Sequence, residues 1–130
     1  MAGVIPGAMN RAASMFLSDR LRLQQKKGMI GAICLAPALL LKPVGVLDEM
    51  NIVTGNPLAI KTPEQSWPAD YFTSILGDKF DASFKVISDE KQQIVRSQIP
   101  GTAIEYEIVM VDMLCGEECA NRISNYFLVR

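Results

Sequence analysis

A chain of 130 residues with 49% hydrophobic content is long enough for one domain, 1–130, with a real core. Its formal net charge is −1 and no basic tract stands out, which argues against nucleic acid as a partner. It contains no histidine, so Ser-His-Asp, Cys-His and His-metal sites cannot be built from this chain alone.

Ala2 to Ile5 is an apolar stub that reads as the end of a strand whose beginning has been cut off. Pro6 to Asn10 reads as a loop. Ser18, preferred over Asn10 and Ser14, is the expected N-cap of an amphipathic helix reaching Lys27. Leu17, Leu21 and Gln24 would face inward, and Gly28 would be the C-cap. Met29 to Ile33 is a short apolar run behind a glycine, read as a buried, parallel strand. Cys34 follows at once, and Leu35 to Leu41 reads as a helix ending near Lys42-Pro43, with Pro37 in its first turn.

Strand, sharp turn, thiol and helix together follow the logic of a nucleophile elbow, with Cys in place of Ser. The helix N–H groups and dipole would favour the thiolate. Spacing alone leaves a second reading open, in which Cys34 is a small buried residue at a strand end.

Val44 to Met50 reads as a connector with a small apolar patch at Val46 and Leu47. Asn51 to Thr54 reads as a short strand closed by Gly55-Asn56-Pro57. The stretch Leu58 to Pro68 is irregular, because it holds two prolines. A short helix is expected over 69–76. Ser83 to Ile87 and Gln93 to Ser97 read as strands joined by a turn at Asp89-Glu90-Lys91. Ile99-Pro100-Gly101-Thr102 opens a long helix, Ala103 to Leu114, with Ile104, Ile108, Val111 and Leu114 expected inward. Gly116 stops it, and Glu117 to Tyr126 is a final helix. Alternating strands and helices, with continuous apolar strands, give an α/β class with a doubly wound sheet. Ligands of such sheets bind beyond the carboxyl ends of the strands, where Cys34 falls.

The other candidates are weaker. Asp48 and Glu49 look like a solvated turn, and Glu105 suits a helix N-terminus. Trp67 and Tyr71 read as anchors of a loop or interface. Cys115 and Cys119 read as packing thiols. The three cysteines show no metal-ligand spacing, and no metal or cofactor is expected. With no signal peptide, the cytoplasm is the expected compartment. The longest apolar stretch, 30–41, contains Pro37 and is too short to cross a membrane.

Four ordered segments carry a resemblance. They are Val4-Ile5-Pro6-Gly7, the run Gly31 to Leu39 containing Ala32-Ile33-Cys34, Thr54-Gly55-Asn56-Pro57, and Ile99-Pro100-Gly101-Thr102 with Ala103 to Tyr106. Together they are similar to the ThiJ/PfpI superfamily, and within it to the branch of the parkinsonism-associated protein deglycase. The resemblance implies a flavodoxin-like α/β/α sandwich with a mostly parallel sheet, and usually a homodimer. It implies Cys34 as nucleophile or redox thiol, with Gly7, Ala8, Leu35, Asn56, Pro57 and Gln98 as binding residues around it. It implies a small aldehyde or glycated substrate, or a chaperone or oxidative-stress role.

The departures from the family pattern shape the functional expectation. Members normally begin with a strand, helix and strand that precede the Val-Ile-Pro-Gly segment and carry a glutamate bonded to the elbow cysteine. Here the fold is expected to be N-terminally truncated, open to a partner that supplies the strands. Ala8 stands for a glycine, Asn56 for a histidine, Gln98 for an arginine and Ile99 for a glycine. Aldehyde chemistry needs a proton carrier, whereas oxidation needs only a thiolate and access. A redox-responsive protein with impaired catalysis is the leading expectation. A non-catalytic binding or chaperone-like remnant is the alternative.

Overall fold

The computed structural model describes residues 2–3, 7–57 and 68–128. Val4, Ile5, Trp67 and the irregular stretch 58–67 lie outside the described residues. The strands are β1 Ala2–Gly3, β2 Ile30–Cys34, β3 Val86–Asp89 and β4 Ile94–Ser97. The helices are α1 Gly7–Ala12, α2 Met15–Gln25, α3 Tyr71–Leu76, α4 Ala103–Cys115 and α5 Glu117–Tyr126.

Among the described residues the sheet runs β1-β2-β4-β3. β1 and β4 lie parallel to β2, with Gly3 opposite Cys34 and Ile33 opposite Ser97. β3 is the antiparallel edge, Ile87 opposite Arg96. The mostly parallel sheet of the α/β class is therefore present.

Alternation along β2 divides the two faces. Gly31 faces α4, where Tyr106 and Met110 press against it. Ile30, Ala32 and, on β4, Ile94 belong to a buried cluster with Ala8, Leu21, Leu40, Leu41, Val46, Leu47, Met50, Phe72 and Leu76. Phe72 is 1% exposed, so its truncation to alanine would cost about 3–5 kcal/mol.

Several local expectations need correction. Residues 7–10 are helical, not a loop. Ser14, not Ser18, caps α2: its backbone is extended and its hydroxyl accepts from the Leu17 N–H at 3.3 Å. Ser18 lies inside the helix and donates back to the Ser14 carbonyl at 3.2 Å. Met15 and Phe16 point outward in the first turn, so apolar periodicity starts late and misplaces the cap. Gln24 is exposed, while Leu21 is buried and Leu17 half-buried.

Gly28 donates to the Gln24 carbonyl at 2.9 Å, but it is not among the glycines with positive φ. The C-cap is Lys26, and the chain leaves α2 through right-handed turns. The stretch after Cys34 is a π-helical turn, Pro37–Leu41, in which the Lys42 N–H reaches the Pro37 carbonyl at 3.0 Å. Val46, Leu47 and Met50 are fully buried core rather than a small patch. The strand expected over 51–54 reduces to one parallel bridge, Val53 to Phe80, because its partner is the tail of a 3-10 turn at Gly77–Lys79.

On α4, Ile104 and Leu114 are exposed and Ile108 and Val111 half-buried. Tyr106 is the buried anchor instead, since the line through Tyr106 and Met110 meets the glycine gap at Gly31. Gly116, at φ 84, ends α4 as expected, its N–H donating to the Asp112 carbonyl.

Candidate functional site

Cys34 closes β2 with φ +67, a left-handed conformation that non-glycine residues adopt only under constraint. It is 4% exposed. The turn thus has the geometry of an elbow, at the carboxyl end of a strand between two parallel neighbours.

The loop 54–57 holds the other side. Asn56 donates its backbone N–H to the Cys34 carbonyl at 2.9 Å. Its Nδ2 donates to Cys34 Sγ at 3.8 Å. Gly55 lets this loop approach: a β-carbon there would sit 3.1 Å from Leu76 Cδ1 and 3.3 Å from Pro37 Cβ. Pro57 follows, half-buried. Thr54 fixes the loop further back, its Oγ1 donating to the Phe84 carbonyl at 2.7 Å.

Burial pushes the Cys34 thiol pKa up, and hydrogen bonds from the Leu35 N–H and the Asn56 side chain oppose it. The net direction is upward, contrary to the expectation from the helix dipole. The reason is local. The helix after the elbow is a five-residue π turn that begins at Pro37, so desolvation outweighs a short, proline-headed dipole.

The remaining site candidates divide. Leu35 is fully buried and supplies the backbone N–H on the sulfur. Gly7 and Ala8 open α1, and Ala8 is fully buried. Gln98 directs its Nε2 to the carbonyls of Ala82 and Phe84, at 2.8 and 2.9 Å. Thr54 and Gln98 therefore clamp the same segment ahead of β3.

The weaker candidates behave as surface groups. Asp48 pairs with Lys42 at 3.0 Å, and Glu49 accepts from Gln92 at 3.0 Å. Glu105 sits in the first turn of α4 and pairs with Lys85 at 3.7 Å. Tyr71 stacks edge-on against Phe72 at 5.3 Å. Cys115 is exposed rather than packed, because α4 ends at the surface; Cys119 is half-buried.

Sequence reasoning missed Arg96, which is 1% exposed on β4. A lone charge in the run Ile94-Val95-Arg96 was the available signal. Among the described residues no group of three or more His, Cys, Asp or Glu could hold a metal ion. No described helix is long and apolar enough to cross a membrane.

No family model matches the chain. Two curated plant proteins do. The chain is 28% identical over 135 residues to Protein DJ-1 homolog A of Arabidopsis thaliana, covering 100% of this chain and 30% of that protein. It is 28% identical over 131 residues to Protein DJ-1 homolog B, covering 97% of this chain and 26% of that one. Among solved structures, oxidized Toxoplasma gondii DJ-1 superimposes with TM-score 0.72 at 26% identity, covering 97% of this chain and 60% of that one. Drosophila melanogaster DJ-1beta gives TM-score 0.72 at 24% identity, covering 98% and 61%, and supports the flavodoxin-like fold. The chain therefore spans less than two thirds of the relatives it matches. Elbow, sheet order and these similarities converge in support of a likeness to the DJ-1/ThiJ/PfpI superfamily.

Proposed function

We propose that this chain is a redox-responsive thiol protein in which Cys34 is the reacting group. The observation that carries the reading is the pair of N–H donors on one sulfur, from Leu35 and Asn56, at a residue held at positive φ. Such donors stabilise negative charge as it develops on sulfur, or on an oxygen bonded to it. In the reaction with peroxide, the thiol loses its proton to solvent and the sulfur attacks one peroxide oxygen. The O–O bond breaks, the sulfur is oxidised to sulfenic acid and the other oxygen leaves as water. A second peroxide carries the same step on to sulfinic acid.

Glyoxalase or deglycase turnover on a small aldehyde or glycated substrate is weak or absent in this reading. The hemithioacetal formed by Cys34 would need a proton carrier, and the chain has no histidine. Among the described residues, the groups bonded to Cys34 are an amide side chain and backbone. Of the binding residues in this reading, Gly7 and Pro57 are half-buried and reachable, while Ala8, Leu35, Asn56 and Gln98 are buried and would support the site from within. Loss of a positioned acid–base group costs on the order of 10²–10⁴-fold in rate.

Peroxide consumption by the purified chain tests the proposal. It should fall to background in Cys34→Ser and persist when Cys115 and Cys119 are both replaced by serine. Consumption that survives Cys34→Ser overturns it. Robust conversion of methylglyoxal to lactate, lost in Cys34→Ser, would overturn the assignment of weak catalysis.

A binding role, through a homodimer or a strand-supplying partner, is favoured by one specific feature. Ile104, Leu114, Tyr126, Phe127 and Leu128 are all exposed on and after α4 and α5. Exposed large apolar side chains grouped on one part of a chain are the usual mark of an interaction surface. Among the described residues β1 is also a sheet edge, and an edge strand can pair with another chain. Light scattering on the purified chain distinguishes an assembly from a monodisperse monomer; the monomer would remove this second reading.

A further inference from the structure

We infer that Asn56 is a positioning residue for the Cys34 thiolate, acting through its side-chain amide while its backbone holds the elbow in register. The inference rests on Cys34 being the reacting thiol. Asn56 is 4% exposed, so its carboxamide works in a low-dielectric setting. The residue touches Cys34 twice. The backbone N–H to the Cys34 carbonyl, at 2.9 Å, locks the loop onto the strained turn. The Nδ2–H, at 3.8 Å from Sγ, is the side-chain donor aimed at the sulfur.

The two tethers have separable effects. The backbone bond survives any substitution except proline, so the elbow stays in place when the side chain changes. The side-chain donor favours the charged form, as a hydrogen bond to an anion does. Burial opposes it, and the Leu35 N–H helps it. Among the described residues, the groups that act on the Cys34 sulfur besides burial are the Leu35 N–H and this amide. Gly55 and Pro57 flank Asn56, and a β-carbon on Gly55 would be tight against Leu76 and Pro37. The amide is therefore presented by a loop that cannot easily back away.

Asn56→Ala removes the donor. Asn56→Asp keeps the shape, removes the donor and adds a like charge. A hydrogen bond to a charged group contributes enough to lower the thiolate fraction at neutral pH about tenfold when it is lost. The test is an NMR titration of the labelled cysteine β-carbons in the 130-residue chain, with both variants beside the wild type. The same spectra report whether each variant is folded. The expected result is a higher Cys34 midpoint in both variants, larger in Asn56→Asp, with Cys115 and Cys119 unmoved. A folded Asn56→Asp or Asn56→Ala whose Cys34 midpoint matches the wild type overturns the role of Asn56 alone. Wild-type Cys34 inert to peroxide would instead overturn the reading of the site, and the inference with it.

Discussion

Tyr106 lies over Gly31 so closely that a β-carbon on Gly31 would fall on the Tyr106 hydroxyl. Met110 Sδ would be 3.0 Å from the same point. The contact seats α4 on the middle of β2, whose far end carries Cys34. Gly31→Ala should therefore destabilise the fold by about 1–3 kcal/mol through overpacking. Tyr106→Phe removes the hydroxyl but leaves Cζ 3.0 Å away, so the double variant should recover part of the loss. Urea denaturation of the two single variants and the double variant measures this. Gly31→Ala as stable as the wild type would show that α4 is not held there.

Arg96 makes the opposite kind of prediction. Its Nε and Nη1 are buried and find no hydrogen-bond partner among the described residues. Burial pulls its pKa down, and Asp89, diagonal to it on β3, opposes the shift only through space. A buried charge without full pairing costs stability, and an apolar replacement of similar volume is often neutral or stabilising by about 1–4 kcal/mol. Arg96→Met should raise the urea midpoint. A clear fall would mean that the guanidinium is held by a group that stabilises it.

The pH profile follows from Tyr106. Burial first, and then the charge of Glu107, push its pKa up from 10.0 to about 12. The folded chain keeps this proton when the unfolded chain has lost it. The contribution to stability is complete below pH 10 and is lost as pH rises toward about 12. Cys34, also shifted upward by burial, adds to the loss on the alkaline side. Denaturation across that range should show falling stability, with a shallower fall in Tyr106→Phe. Equal slopes in both proteins would contradict the burial of the hydroxyl.

Much of this architecture was legible before any coordinates. β2 and the elbow followed from an apolar run that ends at a thiol, because a buried parallel strand needs no alternation. The Gly116 stop and α5 followed from turn chemistry. What stayed hidden depended on tertiary packing. The first turn of α2 exposes Met15 and Phe16, so hydrophobic periodicity misplaced the cap from Ser14 to Ser18. On α4 the same periodicity chose Ile104 and Leu114, but the gap above Gly31 selects Tyr106. At the site, the sequence named Cys34 and Asn56, yet the sign of the thiol shift depended on burial. Periodicity carries no measure of that.

The account turns on Cys34 as the thiol that reacts, and peptide mass spectrometry after graded peroxide tests it most directly. The comparison is demanding, because Cys115 is exposed while Cys34 is 4% exposed. Access, and the burial that raises the Cys34 pKa, favour Cys115; the two donors on the sulfur and the elbow geometry favour Cys34. The predicted result is sulfenic and then sulfinic acid on the Cys34 peptide at peroxide doses that leave Cys115 and Cys119 as thiols. Oxidation of Cys115 first, with Cys34 unmodified until the chain unfolds, would contradict the account.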